Sequence, residues 1–152
     1  MSAIPVLPDF PASISDGLAQ PGAALWVGMD LVLISRIQET VDKLGDRFMR
    51  RIFTEQEAAY ARSTPVLLAE RLAARFAAKE AALKALRMAD KGIAWQDMEV
   101  WRHSDGRCDL QLHGKAAAHA SQMGVTQMSL SLSHDGAYAA AIVAVVRQPP
   151  LH

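Results

Sequence analysis

Residues 66–89 read VLLAERLAARFAAKEAALKALRMA, and this stretch decides the fold. Pro65 stands just before it, and no Pro or Gly follows until Gly92. Alanine and leucine, both strong helix formers, dominate the composition. Leu68, Leu72, Phe76, Leu83 and Leu86 trace an apolar stripe, broken only by Lys79. The spacing predicts one long helix from about residue 66 to 89, with a face that must be buried. Ala73, Ala77, Glu80, Lys84, Arg87 and Lys91 recur at alternating steps of four and three, so they share a second stripe beside the first.

Working outward, ALWVGMDLVLI at 24–34 is apolar and partly β-branched, the pattern of a buried strand, with a single acid, Asp30. A helix over 35–44 follows, with Ile34, Ile37 and Val41 on one side and Ser35 as its expected N-cap. Gly45 ends it, and residues 46–52 form a further turn. Thr54 and Glu57 have the spacing of a capping box and start a helix to Arg62. Ser63-Thr64-Pro65 breaks that helix. Downstream, strands are expected at 98–103, 108–113, 127–133 and 138–146, with a short helix over 114–123. Asp105-Gly106 marks a hairpin between the first two strands. A strand, then helices, then mostly strands implies an α+β domain rather than a βαβ array. Pro5, Pro8, Pro11 and Pro21 make residues 1–23 an extended arm before a domain over 24–147, with a tail at 148–152.

Composition narrows the function classes. The chain holds 16 Lys+Arg and 16 Asp+Glu, for a net charge of zero, which argues against a general nucleic-acid binder. The balance conceals a gradient: residues 1–35 carry three acids and no base, whereas 36–91 carry 12 bases and eight acids. The 51% hydrophobic share is inflated by 27 alanines, and no apolar run is long enough to cross a bilayer. Cys108 is the only cysteine, which excludes an internal disulfide framework and fits a reducing compartment. Cys108 reads as a small strand residue rather than a nucleophile, and the whole as a cytoplasmic protein that engages neither nucleic acid nor membrane.

A carboxylate in an apolar strand is costly unless it is paired or binds a metal. Asp30 therefore reads either as a cap at the strand end or as a ligand, and Gly28 two residues earlier allows close approach of backbone or ligand. Glu80 and Lys84 likewise read two ways. As a surface i,i+4 ion pair they contribute about 0.3–0.5 kcal/mol. As functional groups they supply a carboxylate for a cation beside a base for phosphate. Mg²⁺ takes one or two protein carboxylates plus phosphate oxygens, which Asp30 and Glu80 can provide. Lys84, Arg75 and Arg71 can then neutralise a polyphosphate.

VGMDLVLISRI at 27–37 and RFAAKEAALKAL at 75–86, with Asp30 and Glu80 50 residues apart, resemble the two motifs of the holo-acyl carrier protein synthases. These are the short class of 4′-phosphopantetheinyl transferases. SLSHDGAYAAAIV at 131–143 resembles their final hairpin, and GDRFMRRIFTEQE at 45–57 resembles the region between the motifs. The resemblance implies a long central helix against a mainly antiparallel sheet, assembled as a homotrimer. It implies transfer of the phosphopantetheine arm of coenzyme A to a serine of an apo-acyl carrier protein or carrier domain, leaving adenosine 3′,5′-bisphosphate. By similarity, Asp30 and Glu80 hold Mg²⁺, Glu80 takes the serine proton, and Lys84 contacts phosphate and protonates the leaving group. Arg75, Lys79 and His134 match positions assigned to coenzyme A, Lys79 with its alkyl stem buried. Arg36 matches a docking position for an acidic carrier; Lys43, Arg47, Arg50 and Arg51 follow it and read either as part of that docking surface or as a solvated face, with Glu39, Asp42 and Asp46 interleaved.

The chain also departs from the family pattern. Val32 and Leu33 stand where other members place a further acid, so two protein carboxylates are expected on the metal. The usual glycine loop after the helix is replaced by LRMADKGI, where Arg87 and Lys91 are the candidate substitutes for its phosphate contacts. Two other functions fit parts of the pattern: an idle module that binds carrier or coenzyme A, and a Mg²⁺-dependent nucleotide-pyrophosphate hydrolase.

Overall fold

The computed structural model describes residues 21–148. The arm expected over 1–23 and the tail over 148–152 therefore lie almost wholly outside the described residues. In chain order the elements are β1 (Ala24–Leu33), α1 (Ile34–Leu44), α2 (Asp46–Ile52), α3 (Glu55–Arg62) and α4 (Leu68–Ala85). They are followed by β2 (Met98–Arg102), β3 (Cys108–Leu112), α5 (Gly114–Gln122), β4 (Val125–Asp135) and β5 (Tyr138–Arg147). Single 3₁₀ turns at Pro65–Leu67 and Trp95–Asp97 lead into α4 and β2.

The expected α+β class is what is observed. β1, β5 and β4 form an antiparallel sheet in that spatial order, and β2 pairs with β3 as a separate antiparallel ribbon. α4 lies across the inner face of the larger sheet. Inward residues of β5 (Ala139, Ala141, Val143, Val145) are buried, as are Leu72, Ala73, Ala77, Ala78, Ala81, Ala82 and Ala85 of α4. The alanines, more than the large apolar residues, form the deepest face. Leu68, Phe76 and Leu83 pack only part-buried at its margin. Small side chains bring helix and sheet backbones close together, and the closest approach is at Gly28. A Cβ there would stand 2.1 Å from the Ala81 carbonyl oxygen and 2.6 Å from the Ala85 nitrogen. What approaches Gly28 is thus the α4 backbone.

Several boundaries differ from expectation for identifiable reasons. α1 starts at Ile34 without a side-chain cap, because the Ile34 N–H donates to the Ala137 carbonyl in the β4–β5 turn at 2.9 Å. Ser35 therefore lies inside the first turn. α4 starts after the Pro65 turn and stops at Ala85, short of the expected residue 89. Arg87 adopts φ 54°, and its N–H donates to the Lys84 carbonyl while that of Met88 donates to Leu83. This is a Schellman closure, with arginine where glycine is usual. The Arg87 guanidinium lies 4.0 Å from the centre of the Trp26 ring, whose other cationic neighbour is Arg147 at 4.8 Å. Arg87 and Lys91 thus leave the helical stripe, and the exposed Arg87 guanidinium lies over the Trp26 ring.

The capping box at the start of α3 forms as expected: the Thr54 hydroxyl accepts from the Glu57 N–H, and Glu57 accepts from the Thr54 N–H. Glu57 does more than cap, however. It is fully buried, and its second oxygen accepts from the Val100 N–H at 2.9 Å.

Candidate active site

Side chains alternate along β1, so Gly28, Asp30 and Val32 face α4 while Leu25, Val27, Met29 and Leu31 face outward. The absent Cβ at Gly28 seats α4 on the strand two residues before Asp30. Glu80 and Lys84, one turn apart on α4, then meet the acid. The Lys84 ammonium donates to Asp30 Oδ1 at 3.1 Å and to the Met29 carbonyl at 3.0 Å. Asp30, Glu80 and Arg36 line one groove of about 410 Å³ with Thr40, Phe48 and Phe76. The sequence motif has thus become one site.

Burial raises the Glu80 pKa above the ordinary glutamate value, and the Asp30 charge raises it further, with Lys84 opposing. Two carboxylates that repel each other in a half-sheltered groove are suited to a hard divalent cation, which relieves both effects. Among the described residues no group of three or more His, Cys, Asp or Glu is placed to hold a metal.

A second cavity, of about 300 Å³, opens toward the N-terminal half of α4 and is lined by Arg71, Arg75, Arg102, Tyr60, Glu70 and His134, among others. Three guanidiniums surround one ring: the Arg71, Arg75 and Arg102 Cζ atoms lie 4.2, 4.4 and 5.1 Å from the Tyr60 centroid. The ring quadrupole offsets part of their mutual repulsion. Burial lowers the Arg75 pKa, and its Nε is buried with no hydrogen-bond partner. His134 Nδ1 stands 3.1 Å from Glu70 Oε1. Concentrated positive charge with an unmatched donor suits a phosphate. Tyr60 and Arg102 are not marked by the sequence, because they reach the cavity from α3 and β2 without a shared period.

The structure corrects one expected ligand of the cofactor. Lys79 is fully buried on the opposite side of α4 from solvent. Its ammonium donates to Glu57 Oε1 at 2.8 Å and to the carbonyls of Trp95 and Met98. All three protons are used inside the core, so none is free for coenzyme A. The expected docking arginines also separate. Arg36 lines the Asp30–Glu80 groove, whereas Arg50 lines a different groove, of about 690 Å³, between α2 and α3. Arg47 is exposed on α2.

Comparison with known proteins places this geometry. Residues 26–143 match the family model of the 4′-phosphopantetheinyl transferase superfamily. The chain belongs to that superfamily. The holo-[acyl-carrier-protein] synthase of Koribacter versatilis is 44% identical over 120 residues, covering 78% of this chain and 95% of the relative. That of Moorella thermoacetica is 43% identical over 123 residues, covering 80% and 93%. Among solved structures, the Chronobacterium ammoniagenes ACPS–CoA complex superposes with a TM-score of 0.73 at 34% identity, over 82% of this chain and 98% of that one. The Helicobacter pylori holo-[acyl-carrier-protein] synthase in complex with coenzyme A gives 0.68 at 26% identity, over 78% and 98%. The matched span includes Asp30, Glu80, Lys84, Arg75 and His134. As a transferase of this superfamily, the chain has its carboxylate groove and its arginine cavity at different points along one helix.

Proposed function

We propose that this protein transfers the 4′-phosphopantetheine group of coenzyme A to a serine of an apo-acyl carrier protein or carrier domain, releasing adenosine 3′,5′-bisphosphate. The observation that carries this reading is that Asp30 and Glu80 line one groove with Lys84 bonded to Asp30, while Arg71 and Arg75 of the same helix gather with Arg102 of β2 around a second cavity. A carboxylate pair next to a cationic cavity fits a substrate with a pyrophosphate at one point and a further phosphate at another. Asp30 and Glu80 would hold Mg²⁺, which when bound neutralises phosphate charge and polarises the phosphorus under attack.

The chain's own residues supply the rest. Glu80 accepts the proton of the carrier serine. Lys84 leaves Asp30 for a phosphate oxygen and donates a proton to the leaving phosphate; its partial exposure makes that exchange inexpensive. Arg75 and His134 anchor the nucleotide end. Arg36, on the rim of the groove, meets an acidic face of the carrier and brings its serine to Glu80, with Arg47 and Arg50 adding longer-range attraction.

The assembly is a homotrimer in this proposal. The outer face of β1 carries Leu25, Val27, Met29 and Leu31, all exposed, and it continues across the register into Ala140, Ile142 and Ala144 of β5. A contiguous apolar sheet face of this kind is suited to burial against other copies. The protein works in the cytoplasm; among the described residues no helix is long and apolar enough to cross a membrane.

The test is to incubate the protein with coenzyme A, Mg²⁺ and an apo-carrier, and to weigh the carrier by mass spectrometry. The expected result is a gain of one phosphopantetheine, lost with chelator and with Glu80→Ala. Release of bisphosphate without carrier modification would favour a hydrolase instead.

A further inference from the structure

Cys108, the only cysteine, opens β3 and lines the arginine cavity. Its thiol is part-buried and makes one weak contact, to the Gly106 carbonyl at 3.8 Å. The other walls include Arg71, Arg75 and Arg102, which come from two different elements. Glu70 is the one acid among the lining residues, and it is engaged with His134. Arg75 is only 4% exposed and its Nε has no partner. Burial lowers the Arg75 pKa. Cys108 thus shares this cavity with three guanidiniums, one of which carries an unmatched buried donor.

We propose that Cys108 is a site of mixed-disulfide modification by small anionic disulfides, drawn to it by Arg71, Arg75 and Arg102. The reacting form is the Cys108 thiolate, its proton passing to solvent. Sγ attacks one sulfur of the incoming disulfide; the new S–S bond forms as the old one breaks, and the departing thiolate takes the electron pair and a proton from water. Cys108 is oxidised and the small disulfide is reduced to one thiol. The attached anionic group pairs with the guanidiniums and fills the cavity. That it thereby shuts off coenzyme A transfer rests on the proposed function above; the modification itself does not.

The experiment follows adduct formation on the full chain by intact mass, with glutathione disulfide as the anionic probe and cystamine as the cationic one. Each rate is normalised to that of the same reagent with a free cysteine derivative. Steering by the arginines predicts a normalised preference for glutathione disulfide of about tenfold or more at low salt. The preference shrinks at high salt and in Arg102→Gln, an exposed position at the end of β2. No adduct, equal normalised rates, or a preference indifferent to both salt and Arg102→Gln would overturn the proposal. In the activity arm, the adduct abolishes transfer and reductant restores it. Cys108→Ser protein, treated identically, keeps whatever activity it had before treatment. An adduct with undiminished transfer overturns the blocking role. Unmodified protein that transfers nothing refutes the proposed function, while the rates still decide the chemistry of Cys108.

Discussion

Lys79 and Lys84 stand five residues apart on α4, and each pairs with a carboxylate at close range, 2.8 Å to Glu57 and 3.1 Å to Asp30. Their surroundings divide them. The first pair is fully buried on both sides; in the second, the lysine side chain is 53% exposed and the aspartate 18%. Lys79 spends its protons on fixed acceptors from three parts of the chain, joining α4 to α3 and to the approach to β2. Lys84 holds one carboxylate and one carbonyl at the edge of a groove, where both contacts can be exchanged for a substrate. Adjacent motif positions thus serve different ends, one holding the helix in place and the other working at its surface.

Removing Lys79 is the hardest blow to this arrangement. Lys79→Ala leaves a buried Glu57 carboxylate without its counter-charge and takes one donor from each of the Trp95 and Met98 carbonyls. Breaking such a pair costs about 3–5 kcal/mol. Chemical denaturation should show a loss of that size. The double variant Glu57→Gln/Lys79→Met should recover part of it, since no charge is then left in the core. If the single variant loses less than about 1 kcal/mol, the range of an exposed pair, the distinction between the two lysines fails.

Lys84→Ala should invert the balance of effects. An exposed ion pair is worth about 0–1 kcal/mol, so stability should barely move. Transfer to an apo-carrier should fall by about 10²–10³-fold, the usual consequence of deleting a charge-stabilising donor at a reacting phosphate. A melt and a rate measured on the same preparation check both. A large stability loss with an ordinary rate would make Lys84 a structural residue like Lys79.

These two residues also mark where the sequence was legible. Asp30, Glu80 and Lys84 were readable because strand alternation and helical period put each on a definite face, and because the family spacing linked them. The capping box was readable because Thr54 and Glu57 are local partners. The deeper use of Glu57 was not, since its partners Lys79 and Val100 lie 22 and 43 residues away. Tyr60 and Arg102 are illegible for the same reason: the cavity they share across α3, α4 and β2 leaves no periodic trace in the sequence. The end of α4 leaves no mark in the sequence, because Arg87, a non-glycine residue, takes the left-handed conformation that closes it.

Glu80, between the two lysines, offers the smallest and most specific test. Burial and the Asp30 charge raise its folded pKa above the unfolded glutamate value. The folded state therefore binds that proton more tightly than the unfolded one, and its contribution to stability is fully present below the unfolded pKa. It fades as pH rises through the interval up to the raised folded value. In metal-free protein, the difference in unfolding free energy between the parent and Glu80→Gln should vary with pH in that interval and be flat above it. Asp30→Asn removes one of the two causes and leaves burial, so the interval should narrow without closing. A carboxyl resonance for Glu80 that titrates at the ordinary glutamate value in the parent, or that does not move in Asp30→Asn, would mean the two acids do not share a site. Added Mg²⁺ sharpens the comparison: if both carboxylates bind it, the titration shifts downward in the parent, and far less in Asp30→Asn.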